Sequence, residues 1–170
     1  AENRFLAANE WGLFSDRGLE IKTLAKGGEI SIIDISCYTE VAGGWSIKGL
    51  VIGLISKKLL ADRLNVRKSE ELTAIKTSKK FIVEEGKREV PLVWIMLDEA
   101  HEFLKKEGKT VATDPLIQLL REGRQPGISL VLATQQPGEI HKDVMTQSDI
   151  VISHRVTAKP DIDALNNIMQ

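Results

Sequence analysis

Residues 90–101, with the sequence VPLVWIMLDEAH, decide the fold of this chain. An apolar run, short enough for one buried strand, ends at two adjacent carboxylates, Asp98 and Glu99. In an α/β sheet, ligands bind beyond the carboxyl ends of the buried strands. Because a buried carboxylate without a partner is costly, an acidic pair at this point calls for a ligand. The stretch therefore predicts an α/β domain with a binding site where this strand ends.

The chemistry that best accounts for this acidic pair is nucleotide hydrolysis. Asp98 would hold a Mg²⁺ ion through the water shell of the metal, and Glu99 would orient or deprotonate the water that attacks the γ-phosphate. This arrangement is the Walker B pattern of ATP-driven motors. The alternative is a strand that simply leads into an acidic, capped helix.

A second strand ends in polar residues in the stretch 130–137, LVLATQQP. If this strand lies beside the first one, Thr134 and Gln135 emerge next to the carboxylates. A neutral amide there can bind the γ-phosphate or the attacking water, and so report whether ATP or ADP is present. The alternative is an ordinary turn at the end of a strand, but the nearby carboxylates favour the sensor.

Two arginines lie between these strands, in the stretch 120–127, LREGRQPG. Arg121 and Arg124 could interact with the dipole at the end of a helix. Alternatively, one of them neutralises the charge of a phosphoryl-transfer transition state, because a guanidinium is planar and permanently charged. From this helix end an arginine would point away from its own site, so we expect it to act on a neighbouring subunit.

The order of elements predicts one α/β domain over residues 1–170, with a mostly parallel sheet covered by helices on both faces. Residues 1–18 are expected to be a lead-in, and 65–89 a charged excursion that is helical or a loop. Gly49 and Gly53 are expected to pack closely against the sheet. The expected strands are 19–24, 30–35, 91–97, 128–133 and 150–152, and the expected helices are 46–64, one from Asp114-Pro115 to Gly123, and Asp161–Met169.

Composition sets limits on the class of protein. The 170 residues carry a formal net charge of −1, which neither favours nor excludes nucleic acid, because a motor needs only a local basic stripe. A single cysteine, Cys37, excludes an intrachain disulfide, and we expect it to be a buried thiol in a cytoplasmic protein. No apolar run approaches the ~18 residues that a spanning helix needs, so no membrane is expected as a partner.

A phosphate-binding loop is missing from the chain. Residues 108–110, Gly-Lys-Thr, match the end of such a loop, but the full pattern requires a glycine at position 103, where Phe103 stands. We therefore expect residues 107–110 to be an ordinary loop. Since positioning of the phosphates is most of phosphoryl-transfer catalysis, we expect the isolated chain to be inactive.

The ordered set of motifs resembles the HerA–FtsK family of hexameric DNA-pumping ATPases, and the HerA branch most. The resemblance covers roughly residues 19–170. It rests on IDIS at 33–36, LDEAH at 97–101, LREGRQPGI at 120–128, LATQQP at 132–137 and ISHRV at 152–156. The resemblance implies a RecA-like core, ATP and Mg²⁺ as cofactors, a homo-hexamer around double-stranded DNA, and a NurA-type nuclease as partner.

By the same resemblance, individual residues acquire roles. Asp98 matches the Walker B metal-site carboxylate, Glu99 the catalytic glutamate, and Gln135 the polar sensor, with Thr134 beside it. Arg124 matches the arginine offered in trans, with Arg121 as its substitute, and Arg155 falls in a recurrent Arg-Val pair.

The departures from the family define what else is expected. The phosphate loop and an N-terminal barrel of the family should precede Ile30, so we expect this chain to be part of a larger motor subunit, the C-terminal part of its ATPase core. A non-catalytic RecA-like module for assembly or partner binding is the alternative. A DEAH-box RNA helicase is disfavoured, because those proteins show Ser-Ala-Thr where this chain has Ala133-Thr134-Gln135.

Overall fold

The computed structural model describes residues 17–18, 20–40, 44–77 and 90–168. In chain order, the regular elements are α1 (Ile21–Leu24), α2 (Gly44–Thr77), β1 (Val93–Leu97), α3 (Thr113–Glu122), β2 (Ile128–Leu132), α4 (Lys142–Gln147) and α5 (Lys159–Asn166), with short 3₁₀ helices at Ser36–Glu40, Ala100–Glu102 and Pro137–Glu139. None of the described helices is long and apolar enough to cross a membrane.

The centre of the fold is a parallel pair of strands. β1 and β2 pair in register from Val93 opposite Ile128 to Leu97 opposite Leu132. The connection between them runs through α3, which is the βαβ arrangement that parallel strands require. The α/β class and the two strands predicted at 91–97 and 128–133 are therefore confirmed.

Side chains alternate across this sheet. Val93, Ile95 and Leu97 pack towards the core, whereas Trp94 and Met96 on the opposite face of β1 are 68% and 75% exposed. α3 covers the inner face and packs against α2 as well as β2. Within the described part of the chain the expected cover on both faces is therefore found on one face only.

Two predicted strands are wrong. Residues 30–35 and 150–152 are irregular, and Ile30, Ile32 and Ile152 are 92%, 90% and 86% exposed. Their β-branched composition favours a strand, but a strand also needs a neighbour that pairs with its backbone, and no described strand lies beside either run. The strand predicted at 19–24 is also wrong, because residues 21–24 form α1, which buries Ile21 against the core, and residue 19 lies outside the described residues.

α2 is longer than the predicted helix 46–64, and it continues through the first half of the charged segment. Residues 65–77 are thus helical, whereas 78–89 lie outside the described residues, as do 1–16 of the expected lead-in. The close approach of the two glycines is confirmed, but their partner is different. A Cβ at Gly53 would lie 3.0 Å from the Val111 carbonyl oxygen, so the glycines pack against residues 110–112, before α3, and not against the sheet.

α3 begins one residue before the predicted cap. Asp114 and Pro115 lie in its first turn, and Thr113 starts the helix. The fully buried Thr113 side chain donates to the Phe103 carbonyl at 2.7 Å and accepts the Thr110 amide at 2.8 Å, which fixes the entry of the helix. α3 ends at Glu122 with Gly123 as its C-cap, within one residue of the predicted end at Gly123. The last helix, α5, begins two residues before the predicted Asp161.

Cys37 lies in the first 3₁₀ helix and is exposed, so the expectation of a buried thiol is wrong. The reason is that the strand expected to precede it is an exposed irregular segment. Asp34 Oδ1 accepts the Ser36 amide at 2.8 Å in front of this 3₁₀ helix. This hydrogen bond lowers the pKa of the Asp34 carboxyl below its ordinary value.

Candidate functional site

The polar ends of β1 and β2 are held side by side. Beyond the regular strands, the Ala133 amide donates to the Leu97 carbonyl, and the Ala100 amide donates to the Ala133 carbonyl, both at 2.9 Å. The parallel ladder therefore continues into the two loops. As a result, Asp98 and Glu99 emerge next to Thr134 and Gln135, as the sequence predicts for adjacent strands.

The backbone of Glu99 is strained. Its φ of 48° and ψ of 46° are left-handed, and it is the only non-glycine residue with positive φ in the described part of the chain. Such a conformation costs about 1–3 kcal/mol and is found most often at functional sites. Asp98 Oδ1 accepts the Glu99 amide at 2.9 Å, which helps to hold the turn.

The two oxygens of the Glu99 carboxylate have different surroundings. Oε1 accepts a hydrogen bond from Gln135 Nε2 at 2.6 Å. Oε2 is buried and accepts no hydrogen bond from the residues described, although His101 Nδ1 lies 3.4 Å away. Because buried acceptors are nearly always satisfied, Oε2 has the capacity to bind a donor such as a water molecule. The carboxylate is therefore held by one oxygen, while the other is a buried acceptor beside His101 Nδ1 with unused hydrogen-bonding capacity.

Thr134 and His101 complete this cluster. Thr134 Oγ1 accepts the Gln136 amide at 3.0 Å and lies 3.0 Å from His101 Nδ1. His101 Nδ1 is thus close to both the Thr134 hydroxyl and Glu99 Oε2. His101 is not among the site residues that the sequence predicts. Its position two residues after Glu99 is the signal in the sequence that could have indicated this contact.

Asp98 fits a metal ion that arrives with a nucleotide. Its side chain is exposed, and Oδ1 binds the Glu99 amide, which leaves Oδ2 for another ligand. Among the residues that the structure describes, no group of three or more His, Cys, Asp or Glu side chains could hold a metal alone. Mg²⁺ usually keeps several waters and phosphate oxygens, so one carboxylate that holds its water shell is a fitting protein contribution.

A cavity of about 440 Å³ lies next to the cluster. The cavity shares His101 with the cluster, and Trp45, Lys105, Lys106 and Gln136 are among its other lining residues. Lys48 Nζ stands 4.6 Å from the centre of the Trp45 ring, a cation–π contact that holds the start of α2.

The segment that resembles the end of a phosphate loop is an ordinary loop. Gly108 has a φ of 80°, and Lys109 Nζ pairs with Asp114 Oδ1 at 2.9 Å. This loop follows a 3₁₀ helix and not a strand. The prediction that residues 107–110 form a loop is therefore confirmed.

The arginines lie away from the Glu99 cluster. Arg124 is exposed in the turn 123–127, which precedes β2, whereas Glu99 follows the opposite end of β1. Five strand residues at about 3.3 Å each put roughly 16 Å between these two ends of the sheet. Arg124 is therefore not brought to the carboxylates of its own chain.

Arg121 and Arg155 also stand apart. Arg121 forms an ion pair with Asp143 at the start of α4, and the Asp143 side chain is 10% exposed. Arg155 is exposed in the irregular segment 149–158, and no contact in the described residues joins it to Glu99. The structure thus brings together four of the seven predicted site residues.

The chain matches the model of a protein family and several individual proteins. The model of the Zot (zonular occludens toxin) family matches residues 42–159. The probable DNA double-strand break repair helicase HerA of Methanocaldococcus jannaschii is 30% identical over 145 residues, which are 79% of this chain and 27% of that protein.

Two further relatives carry the same name. The DNA double-strand break repair helicase HerA of Sulfurisphaera tokodaii is 30% identical over 137 residues, 79% of this chain and 25% of its own length. That of Pyrococcus furiosus is 24% identical over 148 residues, 81% of this chain and 26% of its own length. The chain thus spans about a quarter of the length of these relatives. It belongs to the Zot family, within the HerA–FtsK-like P-loop ATPases.

Proposed function

We propose that this chain is the hydrolysis and sensing part of an ATP-driven translocase or helicase subunit that acts on double-stranded DNA. The observation that carries the proposal is the Glu99 carboxylate, which Gln135 holds by one oxygen while the other is buried without a donor. The part of the chain that matches covers 27% and 25% of the length of two of these relatives, and we propose that the phosphate loop lies in the rest of such a subunit.

In this proposal Glu99 is the catalytic base. Its Oε2 would accept a hydrogen bond from the attacking water and then its proton. The Gln135 amide and the left-handed backbone fix the carboxylate before the substrate arrives, so little reorganisation is needed during the reaction. Asp98 would hold the water shell of Mg²⁺. When this metal ion is bound with ATP, it would neutralise part of the phosphate charge.

Gln135 would act as the sensor of the bound nucleotide. Its Nε2 donates to Glu99 Oε1, and it can exchange this hydrogen bond for one to a phosphate oxygen. The exchange would free Glu99 Oε1 and change the position of the catalytic carboxylate. The contact between Thr134 and His101 would hold the loop after β2 next to the loop after β1.

The remaining parts of the proposal concern other molecules. Arg124, about one sheet length from Glu99 of its own chain, would act on the site of the next subunit in a homo-hexamer. The names of the relatives support double-stranded DNA as the substrate, and the resemblance to HerA suggests a NurA-type nuclease as partner. We place this activity in the cytoplasm, where DNA is accessible. Arg155 is left with a supporting role near the nucleotide. Membership of the HerA–FtsK-like family argues against the DEAH-box RNA helicase.

The decisive experiment is ATP turnover by the complete subunit, with and without linear double-stranded DNA. We expect turnover that DNA stimulates and that Glu99→Gln lowers by about 10²- to 10⁴-fold, the usual contribution of a general base. Glu102→Gln is the matched control, because it makes the same change three residues away and should keep turnover. If the complete wild-type subunit hydrolyses no ATP, the chain is a non-catalytic module for assembly or partner binding.

A further inference from the structure

Arg63 is a buried arginine that no motif indicates. It lies on α2, at the end of the predicted helix and next to the charged segment, where an arginine is usually solvated. Its side chain is 1% exposed, and it is among the largest fully buried side chains of the described residues. An arginine is almost never buried to this extent unless its charge is paired and its donors are bound.

Arg63 joins two segments that flank the sheet. Its Nε donates to the Pro126 carbonyl at 2.7 Å, and its Nη1 donates to the Val90 carbonyl at 2.6 Å. Glu70 lies on the same helix, α2, after Arg63. Its Oε1 is 3.7 Å from Arg63 Nη1, and its carboxylate supplies the compensating charge. One side chain thus connects the turn before β2 with the chain that enters β1.

The turn 123–127 is held from several directions. The Ile128 amide donates to the Gly123 carbonyl at 2.8 Å, and the Gly127 amide donates to the Arg124 carbonyl at 3.2 Å. Gly127 has a φ of 82°, and a Cβ there would overlap the Leu92 side chain. Pro126, whose carbonyl binds Arg63, is fully buried. The turn therefore has a fixed shape, and it presents Arg124 and Gln125 at the surface.

We infer that Arg63 is a positioning residue for Arg124. By holding the Pro126 carbonyl, Arg63 keeps the turn 123–127 at a constant place, from which Arg124 reaches the site of a neighbouring subunit. This inference rests on the proposed function, in which Arg124 acts in trans. An apolar side chain could fill the same volume, but it could not bind two carbonyls in two different directions, as a planar guanidinium does.

The first test separates catalysis from folding in the complete subunit. Arg63→Met keeps the length of the side chain and removes its donors. We expect kcat for ATP at saturating linear DNA to fall by on the order of tenfold or more, with KM nearly unchanged, because misplacement of a group by 1 Å is enough for such a loss. Thr113→Val is the matched control, since it removes buried hydrogen bonds at the other end of α3. It should lower Tm and keep kcat.

The second test mixes two kinds of impaired subunit. Arg63→Met subunits keep Glu99, and Glu99→Gln subunits keep a well-placed Arg124, so mixed assemblies should recover turnover at the interfaces where these two meet. Failure to recover turnover would mean that Arg63 supports its own site, and it would overturn the inference. A wild-type kcat in Arg63→Met, measured where Glu99→Gln and Arg124→Ala are inactive, would also overturn the inference. If those two variants keep full turnover, it is the proposed function that fails.

Arg63→Lys keeps the test decisive if Arg63→Met does not fold. Lysine retains the charge but cannot reach both carbonyls in fixed directions. Hydrogen exchange should then become faster in 123–128 and stay unchanged in 98–103, together with an intermediate kcat. Equal acceleration in both segments would assign Arg63 to general stability and overturn the inference.

Discussion

Gln135 donates its side-chain amide to Glu99 Oε1 at 2.6 Å, and this bond joins the polar ends of two neighbouring strands. The two residues are 36 positions apart in the chain, and the parallel register of β1 and β2 brings them together. Glu99 is also in a left-handed conformation, so its carboxylate is fixed both by its backbone and by its partner. Such fixing is the contribution that a protein makes to phosphoryl transfer.

Gln135→Ala should uncouple these strand ends. Without the amide, Glu99 Oε1 loses its hydrogen bond and the carboxylate gains rotational freedom. We expect ATP turnover by the complete subunit to fall by about 10- to 100-fold, because the base is less often oriented towards the water. ATP affinity, measured with a fluorescent analogue, should change much less.

Gln136→Ala is the control for that substitution. It removes a neighbouring exposed amide and keeps the Gln136 backbone N–H, which binds Thr134. It should leave turnover near the wild-type value. If Gln135→Ala and Gln136→Ala behave alike, the bond between Gln135 and Glu99 has no part in hydrolysis.

The convergence of Asp98, Glu99, Thr134 and Gln135 could be predicted from the sequence. Two apolar runs each end abruptly in polar residues, and the carboxyl ends of parallel strands lie at one edge of a sheet. The prediction required only that the two runs be neighbours, and a single intervening helix makes that the usual arrangement.

Other features could not be predicted in this way. The runs at 30–35 and 150–152 have the composition of strands, but composition does not say whether a partner strand is present, and here both runs are exposed. Arg63 was missed because a charged residue beside a charged segment normally faces water. Its burial depends on two carbonyls that are 27 and 63 residues away in the chain.

Arg121→Ala should weaken the structure and spare catalysis. Asp143 is 10% exposed, and it would lose its ion-pair partner. We expect the free energy of opening of α4, measured by hydrogen exchange over 142–147, to fall by about 1 kcal/mol, a modest value because Arg121 is itself largely in water. Turnover by the folded protein should remain, since Arg121 is assigned to this pair.

A double-mutant cycle checks that assignment. Asp143→Asn in the Arg121→Ala background should cost less than Asp143→Asn alone, because the pair is already broken. Loss of turnover in Arg121→Ala at a temperature where the protein is folded would instead assign Arg121, and not the ion pair, to the active site of the next subunit.

Arg124→Ala gives the test of action between subunits. About one sheet length separates Arg124 from Glu99 of its own chain, so we expect Arg124 to act on the site of the next subunit. The substitution should therefore abolish turnover and keep ATP binding. An assembly of mixed Arg124→Ala and Glu99→Gln subunits should regain turnover, since an intact Arg124 then meets an intact Glu99 at a fraction of the interfaces. Gln125→Ala, which changes the exposed neighbour in the same turn, is the control. This variant should be active alone, and mixing it with Glu99→Gln subunits should give no more turnover than its own subunits supply. If mixing recovers no activity while both variants still assemble, Arg124 serves its own chain, and the arrangement in trans is wrong.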